Sequence, residues 1–124
     1  MSTGEIAPEH HHAWFSQKLA NPDCALFIVE EDGRPVGQVR LDRIGPDLAE
    51  VSIGLDVEAR GRGLGREALR YAAREAQHLL GVKGLKALVK PDNASSLAAF
   101  AAAGFRVVAK NADAVELRCA PGDS

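Results

Sequence analysis

No stretch of this sequence approaches the roughly 20 consecutive apolar residues that a membrane-spanning helix needs, so no membrane span is expected. Cysteine is scarce: Cys24 and Cys119 are the whole supply. A disulfide-stapled secreted domain is therefore not expected, and the N-terminus lacks the basic, apolar, small-residue order of an export signal. We expect two reduced thiols in a cytoplasmic protein. Neither sign of charge prevails, with 15 Lys and Arg against 17 Asp and Glu. That balance gives no electrostatic basis for broad nucleic-acid or membrane binding. No Lys-Ser or Lys-Thr pair occurs, which removes the Walker phosphate loop.

What is present is an ordinary apolar share, 46%, in 124 residues. That is enough for one core and too little for two. We expect a loose lead-in over 1–7, one domain over 8–119 and a short tail over 120–124. No internal repeat, low-complexity tract or linker interrupts it.

Local patterns order the domain. Pro8 suits a helix start, and the spacing of Ala13, Trp14 and Leu19 predicts a helix over 8–20 that Asn21 and Pro22 stop. "CALFIVE" reads as a buried strand. The Asp-Gly of "EDGR" signals a hairpin into a strand over 35–43. There Gly37, Val39 and Leu41 are expected on one face and Val36, Gln38 and Arg40 on the other. From Glu50 to Val57 apolar and polar residues alternate, as in a half-buried strand. Leu64, Ala68, Ala72, Ala76 and Leu79 then recur at helical spacing, widened by Leu69 and Leu80 and ended by Gly81. "LKALVK" predicts a strand, Asn93 the cap of a helix over "ASSLAAFAAA", and Gly104 its end. Two strands close the chain, near 105–109 and 114–119. A strand, helix, strand unit over 50–90 implies one parallel pair with a right-handed crossover. The class is α/β with a mixed, mostly antiparallel sheet.

The densest signal is "EARGRGLGREALR", residues 58–70. A helix start exposes backbone N–H groups and partial positive charge. Glycines ahead of it admit a phosphate, and Arg60, Arg62 and Arg66 add charge-assisted bonds. Two readings fit this chemistry: a pyrophosphate cradle, or a glycine-rich connector with solvated arginines. The even spacing of Gly61, Gly63 and Gly65 departs from the dinucleotide fingerprint.

Arg60-Gly61-Arg62-Gly63-Leu64-Gly65 resembles the signature of the GNAT acetyltransferase superfamily, and "NASSLAAFAAAGF" (93–105) is similar to that family's Asn-containing helix ending in Gly-Phe. The resemblance covers roughly residues 9–118. It implies the GNAT acyl-CoA N-acyltransferase fold and acetyl-CoA as cofactor. The pyrophosphate would rest on the loop Arg60, Gly61, Arg62, Gly63, Leu64, Gly65 and Arg66. The pantetheine arm would pair like an extra strand around Ile53–Val57, with Leu55, Asp56 and Val57 as cofactor contacts, and Asn93, Ser96 and Phe100 would face the cofactor from the last helix. Within the family, the segments from Glu9 and from Val89 look most like enzymes acting on amino groups of nucleotide-linked sugars, such as those of pseudaminic-acid synthesis. Aminoglycoside and protein acetyltransferases share parts of the pattern.

Two departures follow. The family fold begins with a strand and a helix before the helix expected at 8–20, and seven residues cannot supply both. A missing edge strand would leave an open sheet edge for a partner, so a homodimer or larger assembly is expected. Many relatives carry a tyrosine seven residues after the helix Asn, as general acid for the departing thiolate; here that residue is Phe100. The only tyrosine, Tyr71, is expected to pack within its helix. Protonation would then fall to water, another side chain or the acceptor amine, a loss of roughly 10²–10⁴-fold at most.

Glu50, at the head of its strand, is the leading candidate base, and backbone N–H groups near Leu55–Val57 could polarise the carbonyl. His11 and Trp14 are candidate acceptor contacts. Consecutive His10, His11 and His12 diverge by about 100° on a helix, so no metal site is expected. Asp92 and Ser95 are expected to cap rather than react. The reading is an N-acetyltransferase for a small amine, an amino-sugar nucleotide by preference. The alternatives are a non-catalytic acetyl-CoA-binding module and a protein N-terminal or lysine acetyltransferase.

Overall fold

A computed structural model describes residues 12–18, 22–56 and 63–120. In these, seven strands form one sheet: β1 (His12–Lys18), β2 (Cys24–Glu31), β3 (Arg34–Arg43), β4 (Leu48–Leu55), β5 (Gly84–Val89), β6 (Arg106–Lys110) and β7 (Val115–Cys119). Two helices accompany them, α1 (Leu64–Leu80) and α2 (Ala94–Ala102). The sheet order is β1-β2-β3-β4-β5-β7-β6. Only β4 and β5 pair in parallel, joined by the expected helical crossover.

The segment expected to be helical over 8–20 is instead the edge strand β1, in seven-residue antiparallel register with β2 from His12↔Glu31 to Lys18↔Ala25. Its consecutive "AWF" favours a strand. Pairing against an existing neighbour outweighs the local helix signal. Only five residues separate β1 from β2, too few for a helix of ordinary length. The edge beside β2, expected to lack its strand, is therefore filled.

The hairpin between β2 and β3 forms as its Asp-Gly demands. Asp32 (φ 52°) and Gly33 (φ 82°) both take positive φ, the backbone of a tight primed turn. Two residues on, Val29 pairs Gly37 while Glu30 pairs Pro35, which leaves Val36 as a bulge. The bulge overturns one expected face: Val36 points inward with Val39 and Leu41.

The core lies between one sheet face and the helices. Phe27, Val29, Val39, Leu41 and Val51 meet the small stripe of Ala68, Ala72 and Ala76. Alanines let α1 settle close to the sheet, while Leu64, Leu69 and Leu80 fill its flanks. Burying one such leucine contributes about 1.5–3 kcal/mol. Leu79, expected in this stripe, is 44% exposed, because it lies one residue outside the buried arc. Tyr71 packs edge-on to Phe27, with ring centroids 5.5 Å apart. Arg43 ties the far end of α1 to β3: its guanidinium donates to Leu80 O, to Pro46 O and to Asp23 Oδ1. A cation on the last carbonyls of a helix complements its dipole.

Candidate functional site

The parallel β4–β5 pairing is brief. It covers Leu48↔Gly84, Ala49↔Leu85 and Glu50↔Lys86, and then stops, although β4 continues to Leu55 and β5 to Val89. Beyond Glu50 the strands splay and a cleft of ≈ 400 Å³ opens. Ile53, Gly54 and Leu55 form its β4 wall. Opposite stand Lys90, Asp92 and Asn93 from the turn before α2, and Ser95, Ser96 and Ala99 from the helix itself.

The β4 wall presents main-chain groups. Asp56 N–H donates to Val36 O at 2.8 Å. Because residues bonding to a given neighbour alternate along an antiparallel pair, Gly54 and Ser52 also bond β3, and the N–H and C=O of Ile53 turn toward the cleft. Gly37 makes this wall possible. A Cβ there would lie 2.4 Å from Leu55 Cδ2 and 2.6 Å from Gly54 O. Its bare backbone lets the Leu55 side chain fold down beside it.

Helix α1 starts at the same place. Its N-cap, Gly63, has φ 82° and supplies no side-chain cap. A Cβ at Gly63 would find only Arg66 Nη2, at 3.7 Å, so the position is spatially open. Gly65 differs: its imagined Cβ lies 3.0 Å from Ala99 Cβ and 3.4 Å from Leu55 Cδ1. Gly65 is thus a packing glycine that lets α1, α2 and β4 converge, and only Gly63 of the two leaves space for a ligand. The Leu64 side chain is in the core, so only its backbone can serve the site. Arg66 stays about half exposed, and among the described residues its Nη2 donates to Glu67 Oε2 at 3.3 Å.

The start of α2 is closed by its own residue. Asn93 Oδ1 accepts from Ser96 N–H at 3.1 Å, the expected cap. Asp92 and Ser95, expected as caps, line the cleft instead, since Asn93 alone fills the capping role. Phe100 is not a cleft residue. Its ring is buried, 2% exposed, and meets Phe105 edge-on at 4.9 Å. Seven residues from Asn93 are nearly two helical turns, so spacing alone keeps Phe100 near the cleft face; its ring nevertheless packs down against Phe105 and into the core. Lys90 and Ala99 are cleft residues that sequence reasoning missed; the only signal for Lys90 was its place just before Pro91.

Glu50 stands where the pairing ends, between Asp42 on β3 and Lys86 on β5. It is partly buried on the sheet face opposite the helices. Val57, Arg60, Gly61, Arg62 and His11 lie outside the described residues, as does the Trp14 side chain. On the same open face, Cys24 Sγ donates to Asp42 Oδ1 at 2.7 Å, and Arg40 Nε bridges both Asp42 oxygens at 3.1 and 3.0 Å. The Arg40 guanidinium, then the Cys24 thiol, hold the Asp42 carboxyl below its ordinary range. Bonding to that carboxylate pushes the Cys24 thiol up, away from a reactive thiolate. Neither cysteine is in a disulfide. Among the described residues no group of His, Cys, Asp and Glu could hold a metal, and no helix is long and apolar enough to cross a membrane.

Residues 2–105 match the profile of the acetyltransferase (GNAT) family. The chain belongs to this family. Its fold is similar to that of solved acetyltransferase structures, at identities that speak for the fold alone. Campylobacter jejuni N-acetyltransferase PseH, in complex with acetyl coenzyme A, is 19% identical with a TM-score of 0.68, over 81% of this chain and 70% of that one. The GNAT domain of Streptomyces lividans PAT is 24% identical with a TM-score of 0.75, over 84% and 64%. Ribosomal-protein-S5-alanine acetyltransferase from Vibrio fischeri is 22% identical with a TM-score of 0.71, over 82% and 63%. The chain spans less than two thirds of the latter two. No curated protein matches the sequence significantly.

Proposed function

We propose that this GNAT-family chain is an N-acetyltransferase that moves the acetyl group of acetyl-CoA directly to the primary amine of a small molecule, an amino-sugar nucleotide by preference. The observation that carries the reading is the β4–β5 splay with the open, uncapped start of α1 at its mouth. An extended arm fits the β4 edge beside Ile53, and an anion fits the first turn of α1. The cofactor supplies an acetyl thioester. Gly63, Leu64 and Gly65 would offer backbone N–H groups to its pyrophosphate, with Arg66 adding charge and Arg60, Gly61 and Arg62 completing the loop. The Ile53 and Leu55 region would align the arm, and Asn93, Lys90 and Ser96 would bound it on the other side.

Glu50 in this reading takes a proton from the acceptor amine, since it is the carboxylate at the closed end of the splay. With Phe100 buried, the proton returning to the thiolate comes from the acceptor or from water. Phe100 also favours the second reading, a module that binds acetyl-CoA without turnover. The reading further includes a single domain over 8–119, flanked by 1–7 and 120–124, and a cytoplasmic location. It includes a homodimer too, which would use β1 or β6, the two edge strands.

Calorimetry with acetyl-CoA and a thiol-release assay over a panel of amines and peptides test this. We expect micromolar-range binding and turnover of small amines. Glu50→Gln is expected to lower kcat by about 10²-fold or more while leaving acetyl-CoA affinity nearly unchanged. Binding without turnover of any acceptor would establish the module. Turnover of peptides alone would redirect the acceptor class, and absence of binding would end the reading.

A further inference from the structure

The register of the sheet aligns residues that are far apart in sequence. One row runs directly across six strands on the face opposite the helices: Cys24, Asp42, Glu50, Lys86, Arg118 and Arg106. Its sign changes once. Asp42 and Glu50 lie on one side of the splay, and Lys86, Arg118 and Arg106 on the other. No described helix covers this face. Like charges on adjacent strands oppose sheet stability, yet Arg118 and Arg106 are direct partners. Their juxtaposition disfavours the β6–β7 pairing.

The two arginines also line a groove of ≈ 380 Å³, together with Val107 and Val108, each 56% exposed. Arg118 is steadied by one bond, Nε to Glu116 Oε2 at 2.8 Å, which leaves its terminal nitrogens free to donate elsewhere. Among the described residues Arg106 has no ion-pair partner. Paired guanidinium groups beside apolar surface suit a phosphoryl group attached to an organic body. Strands lie 4.7–4.9 Å apart, so Arg118 and Arg106 are roughly 10 and 14 Å from Glu50 along the row.

We infer that this face selects acceptor amines that carry a phosphoryl group, with Arg106 and Arg118 holding the phosphoryl end while the amine reaches Glu50 at the splay. The spacing matches an amino sugar joined to a diphosphate better than a free amino sugar. The inference rests on the transferase reading and specifies its acceptor. Arg106 and Arg118 are specificity residues here, remote from the reacting atoms.

Acetylation should be measured, at saturating acetyl-CoA, for an amino sugar, its 1-phosphate and its uridine-diphosphate derivative. We expect kcat/KM to rise along the series by about tenfold or more, mainly through KM. The double variant Arg106→Gln, Arg118→Gln should flatten the series without changing kcat/KM for the free sugar or the KM for acetyl-CoA. Inorganic pyrophosphate should compete with the linked acceptor and not with the free sugar. A flat series in the unmodified protein, or an equal loss for all three acceptors in the variant, overturns the inference. If acetyl-CoA binds but nothing in the series is turned over, uridine diphosphate is titrated into CoA-saturated protein. Binding lost in the double variant supports the anion site, and no binding overturns it. Failure to bind acetyl-CoA at all overturns the transferase reading instead.

Discussion

Helices α1 and α2 both begin at the cleft, and they begin in opposite ways. Gly63 starts α1 with a left-handed residue and no side-chain cap, whereas Asn93 starts α2 by bonding Ser96 N–H itself. A helix leaves its first N–H groups without intrahelical partners. At α2 the chain answers part of that need from within. At α1 it supplies nothing from its own cap residue and leaves room for an outside acceptor. The difference separates a helix end left open at its cap residue, where we propose the anion binds, from one closed by its own side chain.

That contrast can be broken in three ways. The largest effect is expected from Gly65→Leu, which drives a side chain into Ala99 and Leu55. Overpacking of this kind costs about 1–3 kcal/mol, so thermal or denaturant unfolding should show a clear loss, with acetyl-CoA binding reduced alongside. Gly63→Ala should cost about 1–2 kcal/mol through its positive φ alone, since the added methyl meets open space. Its sharper signature is in calorimetry: acetyl-CoA affinity should fall by more than the stability loss explains. Unchanged affinity would remove the distinction between the two helix starts. The smallest effect is expected from Asn93→Ala, about 1 kcal/mol of stability from the lost cap. Its acetyl-CoA affinity should change less than that of Gly63→Ala; an equal loss would mean that both helix ends grip the ligand.

Much of the fold was legible because its signals are local. The Asp-Gly turn, the small stripe of α1, the Asn93 cap and the glycine after α2 each act within a few residues. The edge strand β1 was not legible. Ala13, Trp14 and Leu19 fit a helical period, and pairing with β2, a nonlocal event, decided between the two. Val36 was misplaced for a related reason, because a bulge shifts the inward face without any mark in composition. At the site, the glycine segment marked the loop before α1 as an anion-site candidate, while the different surroundings of Gly63 and Gly65 needed the packing of α2 against α1. The splay itself depends on where two distant strands stop pairing, which no local pattern encodes. Phe100 read as a cofactor residue by motif, and its ring turned out to be structural.

The brevity of the β4–β5 pairing has a thermodynamic side. Three residue pairs, with the Lys83 and Gly84 N–H groups donating to Asp47 O, make the main-chain connection between the β1–β4 meander and the β5–β7 group among the described residues, and α1 and the core add to it. A ligand lying along β4 and reaching α2 would act as mortar in that seam, binding the assembled form and not the separated one. Its free energy would then appear as cohesion of the two halves, growing with the logarithm of its concentration. A cell rich in acetyl-CoA would thus hold a sturdier enzyme than one starved of it.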